Sequence, residues 1–438
     1  MKGFIFNHDK CVGCKACSAA CALENNWSVN ARIIYTQNGE AFLPEPVINL
    51  SMACNHCEEP LCLYGCPVTA FYRDPESPAI LTDQKKCIGC KYCIWNCPYD
   101  APKLDPAKGY VEKCHLCYHR LHEEMEPACT SACPTGALSF GDIPGQGRLH
   151  DIKWIPDRKL NPSLLLTGNR YNKALKIIPD SPAIEGITDN SKLPGSISKE
   201  WSLIGFSFLV SVSAGISVSG LAQSYTNATF INILLMLLAG IFAVFHLRTP
   251  LKAWRSVNNI MHSPLSREIT LFIVYALFLV TSLLFNNPVL RVLTPLSALL
   301  LLLAIDNVYT YSDRSLLMSF HSGQTFLTGL LIASFLMKVL FPFIFIAAVK
   351  LSLIVIQLYR ARRENLFFGV RFLRMAMLII SVILIVIGVE KSLIAGYAVF
   401  MAGELLDRII YYIDFEPINI ANSFNRTIIP LTDEKERN

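Results

Sequence analysis

Sixteen cysteines dominate the chemistry available to this chain, and all of them fall between Cys11 and Cys133. Cys11, Cys14, Cys17 and Cys21 follow C-x2-C-x2-C-x3-C, as do Cys87, Cys90, Cys93 and Cys97. Cys54, Cys57, Cys62 and Cys66 open the middle spacing to four residues, and Cys114, Cys117, Cys129 and Cys133 open it to eleven. A C-x2-C turn lets two thiolates meet one iron–sulfur cubane, and in runs of this type the fourth cysteine reaches the neighbouring cluster. Pro67, Pro98 and Pro134 follow three of the fourth cysteines and fix the direction of the turn, whereas Ala22 holds that place in the first group. The spacing predicts four [4Fe–4S] clusters.

Other thiol chemistry fits less well. Four zinc sites would need only cysteine pairs, not three cysteines at two-residue intervals and a fourth before proline. No C-x2-C is followed by His, which removes haem of the c type. No group replaces a cysteine, so no [3Fe–4S] centre is expected, and His56, His115, His119 and His122 read as surface or supporting groups. Disulfides at this density belong to small secreted chains. The opening MKGFIFNHDKC has neither an apolar signal core nor a twin arginine, so thiolate ligands assembled in a reducing compartment are expected.

These ligands need short elements to hold them. Residues 1–145 are turn-rich and read as an α+β ferredoxin-like domain. An internal repeat supports this: CVGCKACSAAC at 11–21 and CIGCKYCIWNC at 87–97 share every cysteine, Gly13 with Gly89, and Lys15 with Lys91. CPVTAF at 66–71 likewise echoes CPTGAL at 133–138. Residues 146–199 read as a connector without its own core, with prolines at 156, 162, 179, 182 and 194.

From Trp201 the texture changes. The chain is 52% hydrophobic and 17% charged, against about a quarter charged in soluble domains, and its mean hydropathy is +0.39. Eight apolar stretches approach the length of about 20 residues that spans a bilayer. They lie near 201–222, 230–247, 269–285, 289–306, 316–337, 339–358, 371–389 and 392–413. An all-α membrane domain of eight transmembrane helices over 200–414 is expected, with a tail at 415–438. A net charge of +5 and the lack of basic runs interleaved with aromatics give no reason to expect a nucleic-acid partner.

The order of the cysteine groups resembles the four-cluster ferredoxin-like subunits that serve molybdopterin enzymes, such as the electron-transfer subunit of dimethyl sulfoxide reductase. That resemblance implies that the first group pairs with the fourth and the second with the third. One cluster would take Cys11, Cys14, Cys17 and Cys133, and its neighbour Cys114, Cys117, Cys129 and Cys21. The other pair would take Cys54, Cys57, Cys62 with Cys97, and Cys87, Cys90, Cys93 with Cys66. HLRTPLKAWRSVNNIMHSPLSREI at 246–269, with GELLDRIIYY at 403–412, resembles the membrane anchor of the same reductases, so the chain looks like a fusion of both parts.

Ionisable groups in or beside a span are functional candidates because burying them is costly. His246 ends the second span and Glu268 opens the third, at one membrane face. A quinol losing two electrons sheds two protons, which a His and a carboxylate can accept; the resemblance also implies quinol binding around these positions. Helix-end capping is the plainer alternative. Arg255 is read as orienting the quinone, as pairing with Glu268, or as part of the positive loop. Glu404, Arg408 and Tyr411 share a helical face, where an i,i+4 ion pair would suffice. Lys350 is read as structurally paired or snorkelling, and His246 with His321 form the one weak candidate pair for haem b.

Arg248, Lys252, Arg255, Arg267, Arg314, Arg360, Arg362 and Arg363 crowd the loops on the side of the termini, against Arg291, Lys338 and Lys391 opposite. Positive-inside then puts the cluster domain in the cytoplasm, at a bacterial inner membrane. No P-loop or dinucleotide fingerprint is present. The expected function is electron transfer and anchoring in anaerobic respiration: quinol, such as menaquinol, is oxidised in the lipid bilayer and a separate molybdopterin catalytic subunit receives the electrons. The rival is an energy-conserving, proton-translocating module, which a continuous series of buried carboxylates would favour; the sequence shows only isolated ones.

Overall fold

The computed structural model describes residues 2–37, 47–144, 158–169, 193–220, 226–285, 287–312, 320–364, 368–387, 390–415 and 420. Most of the connector and of the C-terminal tail, and Arg314, lie outside them. The chain divides into two compact units, one formed by Met1–Ile187, Leu251–Arg255 and Pro417–Asn438, the other by Thr188–Pro250 and Ser256–Glu416.

The first unit is ferredoxin-like. Its elements are β1 (Lys2–Asn7), α1 (Ala16–Asn25), β2 (Ile33–Gln37), β3 (Ile48–Met52), α2 (Leu61–Tyr64), β4 (Phe71–Arg73), β5 (Ile80–Thr82), α3 (Tyr92–Asn96), β6 (Lys103–Leu104), β7 (Val111–Glu112), α4 (Tyr118–His122), α5 (Ala128–Ser131), β8 (Leu138–Asp142) and β9 (Leu164–Thr167). Period-two alternation in KGFIFN buries Phe4 and Phe6 from β1. β1 pairs antiparallel with β8 and parallel with β9, while β2–β3, β4–β5 and β6–β7 form separate hairpins. Part of the segment read as connector thus supplies a strand, and its Leu160 and Leu164 join the core beside Phe4, Leu50 and Leu138. The short apolar run of three consecutive leucines in SLLLT carries that strand signal.

The second unit is helical: α6 (Leu193–Val218), α7 (Thr226–His246), a 3-10 segment (Pro250–Asn259) whose Leu251–Arg255 group with the first unit, α8 (Pro264–Leu284), α9 (Pro288–Ser312), α10 (Thr325–Leu336), α11 (Leu340–Glu364), α12 (Phe368–Ile387) and α13 (Glu390–Asp414). Six of these, α6 to α9, α11 and α12, are long and apolar enough to cross a membrane. α10 has only 12 residues, and α13 carries Glu404, Asp407 and Arg408 in mid-sequence. The apolar span of α6 is 61% buried, against 17–33% for the other five, so α6 is enclosed by its neighbours while they turn large apolar side chains outward. Small residues permit this. A Cβ on Gly215 of α6 would lie 2.5 Å from Ile332 of α10, the close approach small residues give helices in lipid. Ser213, Ser217, Asn232 and Tyr275 share one buried hydrogen-bonded node, with Ser213 Oγ 2.9 Å and Ser217 Oγ 2.8 Å from the Tyr275 hydroxyl.

Candidate iron–sulfur and quinol sites

The first C-x2-C turn of each group has a left-handed residue just before its second cysteine: Gly13 (φ 70°), His56 (φ 42°), Gly89 (φ 68°) and Leu116 (φ 63°). Lys15 and Lys91, the lysines shared by the repeat, are left-handed N-caps of α1 and α3. Non-glycine residues hold such conformations at a cost, and they gather where function over-determines the backbone. A second left-handed residue follows each Cys-Pro by two positions: Thr69 (φ 50°), Asp100 (φ 51°) and Gly136 (φ 61°). Here the proline turns the chain so that backbone N–H groups meet sulfur. Ala70 donates to Cys66 Sγ at 3.3 Å and Leu138 to Cys133 Sγ at 3.4 Å. The first group differs as its Ala22 suggested: α1 continues through Cys21 to Asn25, whereas α3 stops before Cys97.

Cys11, Cys14, Cys17 and Cys133 line one pocket with Val12, Lys15 and Pro134. Cys21 interacts electrostatically with Cys129 and Cys117, Cys57 and Cys62 with Cys54 and Cys97, and Cys90 and Cys93 with Cys87 and Cys66. Burial pushes the Cys21, Cys90 and Cys97 thiols up to about 12. Burial also opposes ionisation of Cys133, but the Leu138 N–H and the Thr135 hydroxyl and N–H hold it below its ordinary value. Thiols that resist ionisation alone are deprotonated by a bound metal. Among the described residues no three His, Cys, Asp or Glu converge on a position for a single ion. The donor set, the pocket and the inward N–H groups fit a cubane.

The histidines divide. His56 is buried, and its Nδ1 accepts from Ile80 N at 2.9 Å. His119 stands 3.0 Å from Glu24, His122 stands 3.1 Å from Asp74, and His115 packs edge-on against Trp27.

A 4Fe-4S dicluster domain model matches residues 47–143. The anaerobic dimethyl sulfoxide reductase of Haemophilus influenzae has a B chain that is 34% identical over 185 residues, which are 39% of this protein and 90% of that one. This protein belongs to the same family. A thiosulfate reductase electron transfer subunit of Salmonella typhi is 36% identical over 150 residues, 32% of this chain and 76% of its own. The B subunit of a tetrathionate reductase of Salmonella typhimurium is 36% identical over 138 residues, 31% and 55% respectively. The shared region is the iron–sulfur part; the helical unit extends this chain well beyond it.

In the helical unit the expected quinol residues have different neighbours. His246 Nδ1 lies 3.6 Å from Glu200 Oε2. Glu268 is buried, and its carboxylate makes no hydrogen bond or ion pair among the described residues. The charged and phenolic groups around it are Arg408, Asp306, Tyr309 and Tyr412. Arg255, which groups with the first unit, donates to the Lys85 carbonyl at 3.4 Å and lies 5.4 Å over the Trp254 ring. Arg408 does not pair with Glu404. It donates to Ser207 Oγ at 2.7 Å and to the Gly323 carbonyl at 2.9 Å, and lies 4.2 Å over Tyr411.

Glu404 instead belongs to a buried quartet with Asp407, Lys350 and Arg374. Lys350 pairs with Glu404 and, at 3.4 Å, with Asp407; Arg374 pairs with them at 2.6 and 3.4 Å. Thr328 and Ser322 hydroxyls donate to Glu404 and Asp407, each at 2.7 Å. His321 stands 3.0 Å from Asp414, which also pairs with Arg371, and its Nδ1 accepts from Gly323 N at 2.9 Å. Both ring nitrogens are therefore engaged by the protein's own groups. The sequence reading missed Asp306, Asp407, Asp414, Arg371 and Arg374. The available signal was the i, i+3, i+4 recurrence of polar residues from Glu404 to Asp414.

Proposed function

We propose that this chain is the electron-transfer and membrane-anchor subunit of an anaerobic respiratory oxidoreductase. Its eight helices cross a bacterial inner membrane with the cluster domain on the cytoplasmic side. Quinol is oxidised in the helical unit, and four [4Fe–4S] clusters link it to a separate molybdopterin catalytic subunit. Cys11, Cys14, Cys17 and Cys133 hold the first; Cys114, Cys117, Cys129 and Cys21 the second; Cys54, Cys57, Cys62 and Cys97 the third; Cys87, Cys90, Cys93 and Cys66 the fourth. One observation carries this reading: neighbouring sets interact through Cys17 with Cys129, Cys114 with Cys54, and Cys62 with Cys66, which makes one continuous series. When bound, each cluster supplies a one-electron couple, matching two-electron quinol chemistry to single-electron transfer.

The chain's own part in the membrane is to take protons. Glu268 is buried without a direct partner among the described residues, so its carboxylate is available to a quinol hydroxyl, and Arg408 and the Tyr309–Tyr412 pair add hydrogen-bonding groups nearby. His246 with Glu200 and Arg255 complete the candidate set. The test is metal analysis with spectroscopy. About sixteen iron atoms per intact chain are expected, together with cluster reduction by quinol in membrane vesicles. Far less iron, or clusters that dithionite reduces and quinol does not, would sink the reading.

One observation bears on the proton-translocating alternative. The carboxylates that look isolated in sequence are joined, through Glu404, Asp407, Ser322, His321 and Asp414. Yet that string covers only the last eleven residues of α13, about 15 Å of helix, or half a hydrocarbon core of about 30 Å. The preceding half packs Tyr397 and Phe400 against Phe335 and Phe343. Such an arrangement supports proton exchange with one face rather than passage across.

A further inference from the structure

Arg32 is buried within the cluster unit at 2% exposure, yet no carboxylate pairs with it among the described residues. Its Nη1 donates to Ser51 Oγ at 3.0 Å, and its guanidinium lies 4.4 Å over the Phe4 ring. Nε and Nη2 meet no oxygen or nitrogen acceptor among the described residues, and the guanidinium side chain instead hydrogen-bonds the Cys129 thiol. The Ser18 hydroxyl holds the Arg32 backbone carbonyl at 2.7 Å, fixing the residue at the entry to β2. What surrounds the charge is sulfur: Cys129, to which the side chain hydrogen-bonds, with Cys114, Cys17 and Cys21. Three of these belong to the set Cys114, Cys117, Cys129 and Cys21, and one to the neighbouring set. Ser51 touches the same place, since its hydroxyl also lies 3.5 Å from Cys17 Sγ.

A buried charge without an opposite charge beside it is strongly disfavoured, and neutral thiols do not offset it. Thiolates on an anionic cluster do. Each one-electron reduction adds one negative charge to the thiolate-ligated cluster, while Arg32 keeps its proton throughout because guanidinium does not titrate in this range. A fixed cation therefore favours the reduced form, most strongly where it is closest. Lys113 makes a useful contrast. It too is buried and faces Cys62, but its ammonium is spent on the Ile80 and Cys114 carbonyls.

We infer that Arg32 sets the reduction potential of the cluster held by Cys114, Cys117, Cys129 and Cys21, raising it above what its ligands alone would give. It does so without touching substrate or ligating iron. The inference rests on the four-cluster reading, and the experiment separates the two. Wild-type, Arg32→Met, Arg32→Gln and Arg32→Lys full chains are purified anaerobically, assayed for iron, and titrated potentiometrically with EPR detection. In the neutral variants, one of four potentials should fall by at least tenfold in its reduction equilibrium, about 59 mV for one electron. A second should fall less, and two should stay. Arg32→Lys should restore most of the loss. Unchanged potentials in neutral variants with full iron would overturn the inference, as would Arg32→Lys behaving like Arg32→Met. If the neutral variants lose iron, a normal Arg32→Lys supports the role of charge, and a failed one refutes it. Wild-type protein with well under sixteen irons would instead defeat the four-cluster reading itself.

Discussion

The two units bury charge in opposite ways. In the cluster unit Arg32 sits among thiols with no carboxylate to answer it among the described residues. In the helical unit Lys350 and Arg374 each face both Glu404 and Asp407, so the quartet is neutral as it stands. A guanidinium left over in one unit implies a negative group still to come, namely an iron–sulfur cluster with its thiolates. A balanced quartet in the other implies that its charges were settled when the helices packed. The first arrangement is a site, and the second is chiefly a structural node.

Breaking the quartet should have the largest effect on stability. Glu404→Ala leaves Lys350 and Arg374 facing Asp407 alone, and removing one partner of a buried ion pair typically costs about 3–5 kcal/mol. Thermal unfolding in detergent should show the loss, with iron content unchanged in protein that remains folded. The combination Lys350→Met with Glu404→Leu should recover much of it, because it removes a cation and an anion together and leaves Arg374 with Asp407. If Glu404→Ala is as stable as the parent, the quartet is not what joins these helices.

The partners in that quartet explain why the helical unit was harder to read. Lys350 and Glu404 are separated by 54 positions, and nothing in the spacing of either links them. Glu404 with Arg408 offered an obvious i,i+4 pair; the helix instead turns Arg408 toward Ser207 and Gly323 and leaves Glu404 for other helices. The cysteine groups were legible because their chemistry is local, with two thiols and their turn fitting within four residues. Even there the shared Lys15 and Lys91 were visible as a repeat, while the reason for them, a left-handed cap, was not. The strand Leu164–Thr167 was hidden by the prolines around it.

A sharper test of the comparison is Glu268, a buried carboxylate that the quartet does not include. Replacing it by Gln keeps size and removes the proton acceptor. Quinol-dependent cluster reduction should fall by about 10²-fold, within the range for losing a positioned general base, while reduction by dithionite and iron content stay normal. His246→Ala should show whether the pair with Glu200 also takes a proton. A comparable fall places both groups at the quinol, and full activity leaves His246 as the helix-end cap of α7. Should Glu268→Gln keep full quinol activity, the site must be sought elsewhere in the helical unit.

The smallest effect belongs to an ion pair on the surface of the cluster unit. Glu24, near the end of α1, receives the His119 ring at 3.0 Å and Arg120 at 3.1 Å from α4. It therefore ties the helix carrying Cys21 to the helix that follows Cys117. The hydrogen bond from His119, aided by Arg120, holds the Glu24 carboxyl below its ordinary value. A carboxyl lowered in the folded state contributes stability above its unfolded value near pH 4.3, and that contribution is lost as pH falls through the folded value. The groups are partly exposed, so solvent and salt screen them, and such pairs are worth about 0.2–1 kcal/mol. Glu24→Ala should accordingly lower stability by no more than about 1 kcal/mol in low salt at pH 7. The difference should vanish in 1 M salt with the clusters loaded, and it should begin to fall once the pH drops below the unfolded value near 4.3, both as read by chemical denaturation. A loss several times larger, or one indifferent to salt, would mean that this tie holds the Cys21 and Cys117 ligands in place rather than merely decorating the surface above them.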